Sequence, residues 1–165
     1  MPYSLPQPTP QLQLAHLKLR NRHGSARLRG GRLTWRWTVQ PTPVSRLYKA
    51  RVECDAKGNP DVFIDLPDIQ LLAGGRKIPH LYSQQDRQLC LFLPGSGQWN
   101  ASKLLANTII PWTSMWLLFF EEWLWSDAWQ GGGEHPVDMD DPLVDNDGRC
   151  IDMTPSVDAQ ETNNA

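Results

Sequence analysis

The chain has 165 residues, of which 40% are hydrophobic and 21% are charged, and its formal net charge is −2. This length and composition fit one globular domain and exclude collagen-like, coiled-coil and wholly disordered classes. The longest unbroken apolar run in the Trp-rich region, residues 115–120, is six residues long, whereas a membrane-spanning helix needs roughly 20.

The charges separate a basic body from an acidic C-terminal part. Residues 134–165 hold nine of the 18 acidic residues and a single base, Arg149. This part cannot bury enough apolar surface to fold, so residues 137–165 are predicted to be an acidic disordered tail. Three cysteines are too few for a disulfide framework, and the first residues lack a basic region followed by an apolar one. Both observations predict a cytoplasmic protein.

The N-terminal half predicts a short helix followed by a sheet. Four prolines among the first ten residues favour a flexible leader over residues 1–10. Residues 11–22 fit either a helix or a strand, and their Leu, Gln, Lys and Arg content favours the helix. Alternating apolar residues over residues 33–39, 47–55 and 62–66, with turn residues between them, predict an antiparallel meander with one solvated face.

The C-terminal half predicts a loop, a short strand and then helices. Residues 71–88 are loop-like, and the apolar run at residues 89–93 predicts a fourth strand, bounded by a Pro/Gly loop. Apolar residues then recur every three or four positions, a spacing typical of a helix packed on a sheet. These residues are Leu105, Ile109, Trp112, Trp116, Phe119 and Trp123.

Individual residues predict the limits of this helical region. Asn100 or Ser102 is placed to cap its start. Pro111 predicts a kink or the start of a second helix, and the glycines of residues 131–133 predict its end. Together these elements predict an α+β domain over residues 11–136, with an N-terminal helix, an antiparallel meander sheet of about four strands and C-terminal helices.

Cys90 is the leading candidate for covalent chemistry. It follows a polar loop that contains His80, Tyr82 and Arg87, and it precedes a Gly/Pro loop. Positions flanked by loops are where a rigid scaffold exposes reactive groups. From spacing alone, two interpretations of Cys90 stay open, a nucleophile and a buried strand cysteine.

The other two cysteines and the histidines offer no further candidate for catalysis or metal binding. Cys54 lies on the apolar face of a predicted strand and fits a core position, while Cys150 lies in the acidic tail, where carboxylates disfavour a thiolate. The four histidines are scattered and no Cys-x-x-Cys pair occurs, so no metal site is predicted. No phosphate-binding loop is present, and no cofactor is expected.

A basic cluster precedes and enters the predicted sheet. Its members are Arg20, Arg22, Arg27, Arg29, Arg32 and Arg36. With Trp35 and Trp37 nearby, a nucleic-acid-binding face is one alternative, but no stacking motif accompanies the arginines, so a solvated basic face is favoured. Trp125 and Trp129 fall outside the helical stripe and predict a partner surface.

The order of these motifs resembles the ubiquitin-conjugating fold, and most closely its prokaryotic branch. The segments that carry the resemblance are Pro79-His80-Leu81-Tyr82, Leu89-Cys90-Leu91, Pro111-Trp112-Thr113-Ser114 and Trp129-Gln130-Gly131-Gly132-Gly133. The proteins it resembles are stand-alone conjugating-type subunits of bacterial anti-phage operons that signal through cyclic oligonucleotides (CBASS). The resemblance covers residues 11–136, and the Cys90 segment is its most specific part.

The resemblance implies a ubiquitin-conjugating-type cysteine acyltransferase. In such an enzyme Cys90 would form a thioester with the C-terminus of a partner protein, here a cyclic-oligonucleotide synthetase (a cGAS-like nucleotidyltransferase), and His80 would donate to the developing oxyanion. The absence of an adenylation motif in the sequence implies a separate activating enzyme or an already activated donor. Pro79-His80 stands in place of the His-Pro-Asn of the eukaryotic family, so the alternative is a catalytically inactive binding module or scaffold. Neither a membrane nor a nucleic-acid partner is expected.

Overall fold

A computed structural model describes residues 6–132 and confirms the predicted α+β class, with an N-terminal helix, an antiparallel sheet and a C-terminal helix. The helices are α1 (Pro10–Arg20), α2 (Ile69–Ala73) and α3 (Ile109–Ser126), and a 3₁₀ turn, Leu105–Asn107, precedes α3. The strands are β1 (Ser25–Arg29), β2 (Arg32–Val39), β3 (Tyr48–Cys54), β4 (Pro60–Leu66), β5 (Leu81–Ser83) and β6 (Gln88–Leu89). The predicted acidic tail, and residues 1–5 of the predicted leader, lie outside the described residues.

Helix α1 forms where its composition predicted it and is held by one buried side chain. Thr9 caps the helix by accepting a hydrogen bond from the Leu12 N–H at 3.2 Å, and Pro10 occupies the first helical position, which tolerates its missing N–H. The Gln13 side chain is buried, and it donates to the Lys103 carbonyl and accepts from the Leu105 N–H, both at 2.9 Å. This amide therefore ties α1 to the segment that leads into α3.

The sheet has six antiparallel strands in the order β1-β2-β3-β4-β6-β5, where about four were predicted. Strand β1 was missed because all five of its residues are exposed, so its sequence lacks the alternation that marks a half-buried strand. Residues 71–88 were predicted to be a loop, but they contain the end of α2 and all of β5. The prediction of a strand over residues 89–93 is also wrong. Of these residues only Leu89 belongs to β6, and the chain leaves the sheet at Cys90.

The two faces of the sheet differ as the alternation predicted. The inner face is buried against α3, and its largest fully buried side chains include Trp35, Tyr48 and Ile64. On the outer face, the Arg51 guanidinium lies 4.3 Å from the centre of the Phe63 ring and its Nε lies 3.2 Å from Asp65 Oδ1. The core is thus formed between one face of the sheet and the apolar stripe of α3.

Helix α3 is one continuous helix whose limits differ from those predicted. It begins two residues before Pro111, which lies in the first turn, where a missing N–H breaks no intrahelical bond. Asn100 does not cap it, because its side chain accepts from the N–H and hydroxyl of Ser102 in a preceding turn. The helix ends at Asp127, in the left-handed conformation at φ 56°, rather than at the glycines of residues 131–133. None of the helices within residues 6–132 is long and apolar enough to cross a membrane.

We expect Gln13→Ala to lower the free energy of unfolding by about 1–3 kcal/mol, because it leaves the buried Leu105 N–H without its acceptor. Urea denaturation followed by circular dichroism measures this loss. Gln11→Ala, an exposed position in the same helix, is the matched control. Equal unfolding free energies for the two variants would contradict the bridging role of Gln13.

Candidate functional site

The backbone brings His80 and Cys90 together at the end of the sheet. The Cys90 N–H donates to the His80 carbonyl at 3.0 Å, immediately after β6 ends. The same carbonyl accepts from the Trp116 indole N–H, also at 3.0 Å. His80 has a left-handed backbone conformation, φ 55°, which is uncommon for residues other than glycine and is found disproportionately at functional sites.

The His80 side chain lies within a cluster of aromatic rings. It is 7% exposed, and the centre of its ring is 5.0 Å from that of Trp129, with the planes tilted by 34°. Trp129 in turn contacts Trp116 and Phe119, at centroid distances of 5.5 and 6.0 Å. The orientation of His80 therefore depends on Trp129, which lies beyond the end of α3.

The Cys90 thiol is half-buried and shares an acceptor with a tyrosine. It lies 3.8 Å from the Phe92 carbonyl oxygen, to which the Tyr82 hydroxyl donates at 2.7 Å. Burial raises the pKa of the Cys90 thiol, and a hydrogen bond with Tyr82 opposes part of that rise. Cys54 is a core residue, as predicted, and its burial beside acidic residues raises its pKa to about 11.

Cys90 opens onto a groove with a volume of about 340 Å³. Its lining consists of His80, Cys90, Leu91, Gln98, Trp112, Met115, Trp116, Phe119, Trp129, Gly131 and Gly132. Apolar and aromatic side chains dominate, and none of these lining residues is an Asp, Glu, Lys or Arg. Among the described residues, Cys90 thus faces a largely uncharged cleft rather than being sealed in the core.

Three groove residues were not predicted to lie near Cys90. The Gln98 side-chain carbonyl accepts from the Leu93 N–H at 3.1 Å, which leaves its amide NH₂ as a donor on a groove residue. Met115 belongs to α3 but lies off the predicted stripe and is half exposed. Trp129 was predicted to mark a partner surface together with Trp125; Trp125 is 85% exposed, whereas Trp129 packs against His80.

The other candidates from the sequence lie elsewhere. Arg87 pairs with Asp68 through two hydrogen bonds, of 3.0 and 2.5 Å, and this pairing holds the pKa of the Asp68 carboxyl below its usual range. Arg87 is absent from the groove lining. Within residues 6–132, no group of three or more His, Cys, Asp or Glu is placed to hold a metal ion. Cys150 lies outside the described residues.

The basic cluster forms an exposed face without aromatic platforms. All six of its arginines are exposed. Trp35 and Trp37, the aromatic residues that a nucleic-acid-binding face would use for base stacking, are buried in the core instead. The arrangement favours the solvated basic face.

The comparison with protein families found a match over most of the chain. The family model described as "Type II CBASS E2 protein" matches residues 13–136, which is most of the chain. No curated protein matches the chain.

We expect Tyr82→Phe to shift the pH dependence of Cys90 alkylation to higher pH. The Tyr82 hydrogen bond lowers the Cys90 pKa, so its loss leaves less of the reactive thiolate at any given pH. Rates of iodoacetamide labelling between pH 6 and 10, followed by mass spectrometry of the Cys90 peptide, measure the shift. Tyr48→Phe is the matched control, because the Tyr48 hydroxyl bonds to Glu121 instead. A shift to lower pH, or none, would refute this role of Tyr82.

Proposed function

The chain belongs to the family of type II CBASS E2 proteins, E2-like proteins of anti-phage defence, and from this premise we propose that Cys90 is its acyl-carrying nucleophile. The observation that carries the proposal is the position of Cys90, which faces an open, uncharged groove and is fixed to His80 by a backbone hydrogen bond. A nucleophile that receives a visiting polypeptide needs this access.

The proposed reaction has two acyl-transfer steps. In the first, the Cys90 thiolate attacks the activated carbonyl carbon at the C-terminus of a donor protein. A carbon–sulfur bond forms to Cys90, the bond to the leaving group breaks, and the Cys90 proton passes to solvent. In the second step an amine attacks the thioester carbonyl, the amide bond forms, the carbon–sulfur bond breaks, Cys90 leaves as thiolate, and the proton that the amine loses passes to solvent. Water in place of the amine gives hydrolysis.

The environment of the thiol favours a stored intermediate. Because burial raises the Cys90 pKa, the free enzyme holds mainly the thiol near neutral pH. The same property makes the sulfur a poorer leaving group, so the thioester persists until an acceptor arrives. When the thiolate forms, the Tyr82 hydroxyl, which donates to the Phe92 carbonyl beside the neutral thiol, would turn its proton to the sulfur.

His80 is the proposed donor to the developing oxyanion. His80 lines the groove, and its ring contacts that of Trp129. Its backbone carbonyl accepts a hydrogen bond from the Cys90 N–H. A fixed donor of this kind stabilises the negative charge on the carbonyl oxygen as it forms. Gln98 offers a second side-chain N–H on the same groove.

The donor is proposed to be another component of the same defence system. By resemblance this is a cyclic-oligonucleotide synthetase of the cGAS-like type, whose C-terminus would enter the groove. No adenylation motif occurs in the sequence, so a separate activating enzyme, or a donor that is already activated, completes the proposal.

A binding module without catalysis is the second candidate. It is favoured by the replacement of His-Pro-Asn with Pro79-His80, which leaves this segment without the asparagine of the eukaryotic family. In that case the groove would hold the partner's C-terminus without a covalent bond.

Co-expression with the genomic neighbours of the chain separates the two candidates. We expect wild-type protein to carry a mass increment on the Cys90 peptide that disappears with thiol reductant, and Cys90→Ala to lack it. Cys150→Ala is the matched control and should keep the increment. A partner complex that survives Cys90→Ala, together with no increment in wild type, would support the binding module instead.

We expect His80→Ala to slow acylation of Cys90 by about 10²–10³-fold, the usual effect of removing one oxyanion donor. Single-turnover acylation by a synthetic peptide bearing a C-terminal thioester measures the rate, and near-UV circular dichroism checks that the aromatic cluster is retained. His23→Ala, an exposed histidine outside the groove, is the control. Acylation of His80→Ala at the wild-type rate would exclude the proposed role.

A further inference from the structure

Helix α3 ends at Ser126, and three of the residues 129–132 line the groove although they belong to no helix or strand: Trp129, Gly131 and Gly132. The Trp129 ring anchors them through its contacts with His80, Trp116 and Phe119. A Cβ on Gly131 would lie 2.6 Å from Trp129 Nε1 and 2.8 Å from Phe119 Cδ2. Glycine is therefore required at position 131 for the backbone to approach these rings so closely.

The chemical character of this segment suits an extended peptide. Gly131 and Gly132 line the groove with backbone alone, beside Cys90 and Leu91. Within residues 6–132, the backbone groups of the two glycines have no hydrogen-bond partner. An extended chain can pair with the backbone N–H and C=O groups of such a segment, which is how many domains bind peptides independently of their side chains.

The rest of the groove adds a restriction on charge. Its lining offers aromatic and aliphatic surface without a charged side chain. A charged residue of a bound peptide would therefore lose its hydration without gaining an ion pair. A volume of about 340 Å³ lies at the lower end of the range for ligand clefts, which suits the last few residues of a polypeptide.

We propose that residues 129–132 bind the C-terminal residues of the acyl donor in an extended conformation, and that the groove they complete selects uncharged residues next to the reacting carbonyl. This inference rests on the proposed function, because the bound tail is the one that acylates Cys90. Trp129 is a specificity-determining residue in this scheme, since its ring holds both the segment and His80 in place.

The test compares synthetic peptides that carry the same C-terminal glycine thioester and differ only in the residue before it: Leu, Asp or Lys. In each reaction the Cys90–acyl bond forms, the bond to the leaving thiol breaks, and that thiol departs with the proton that Cys90 gives up. Acylation of the full-length protein is followed by mass spectrometry of the Cys90 peptide. We expect the Leu peptide to react about tenfold faster, or more, than both charged peptides.

Two variants test whether residues 129–132 cause the preference for the Leu peptide. In Trp129→Ala the ratio between the Leu peptide and the charged peptides should fall towards one, while Trp125→Ala, an exposed tryptophan outside the groove, should keep it. Gly131→Ala is the second variant, because its Cβ displaces the segment without removing the indole. Gly131→Ala should also lose the preference.

The possible failures are distinguishable. No acylation of Cys90 by any peptide would overturn the proposed function itself. Acylation at equal rates with all three peptides would leave the nucleophile intact and overturn the selection of uncharged tails. A preference that persists in both Trp129→Ala and Gly131→Ala would show that residues 129–132 do not confer it. Lower acylation of all peptides in equal proportion by these variants would likewise reject the specificity role.

Discussion

One carbonyl oxygen organises the candidate site. The His80 carbonyl accepts two hydrogen bonds, from the Cys90 backbone and from the Trp116 side chain, each 3.0 Å long. The first bond sets the point at which the chain leaves the sheet, and the second joins that point to the middle of α3. Because Trp116 also stacks on Phe120 in the core, the position of Cys90 is linked directly to the packing of the domain.

The groove combines a rigid wall with a low charge density. Helix α3 contributes to both the core and the groove, since Leu117 and Phe120 pack against the sheet while Met115 and Phe119 line the cleft. The end of the helix is secured by Arg76, which pairs with Asp127 and lies 4.4 Å from the centre of the Trp123 ring. A thiol in such surroundings is desolvated, and the free energy of its ionisation depends on the few polar groups that reach it.

The sequence predicted those parts of the fold whose signal is local. Strand β2 alternates along its length, and α1 has good helix formers behind a threonine cap, so both appear where expected. Strand β1 carries no burial pattern, and the end of α3 is formed by Asp127 in a conformation usually taken by glycine, so neither could be predicted from composition.

The residues of the candidate site also fall into those that the sequence predicted and those that it did not. Cys90 and His80 were predicted as site residues from motif order and resemblance; the structure places their backbones side by side, and their catalytic roles stay a prediction. Trp129 reaches the groove from a segment distant in sequence, Gln98 reaches it from the Pro/Gly loop that follows Cys90, and no periodicity connects either residue to Cys90. Trp129 in particular was predicted to mark a partner surface because it lies outside the helical stripe, and its contact with His80, which results from the turn of the chain after Asp127, was not predicted.

The backbone geometry of residue 80 also limits how this position can vary in evolution. A left-handed conformation is strained for branched side chains and is tolerated best by glycine, asparagine, aspartate and histidine. Of these four, only histidine provides a ring to pack on Trp129. A lineage that had lost the need for that imidazole would be free to drift to glycine or asparagine at little cost to folding, so retention of histidine among relatives would report selection on the side chain itself.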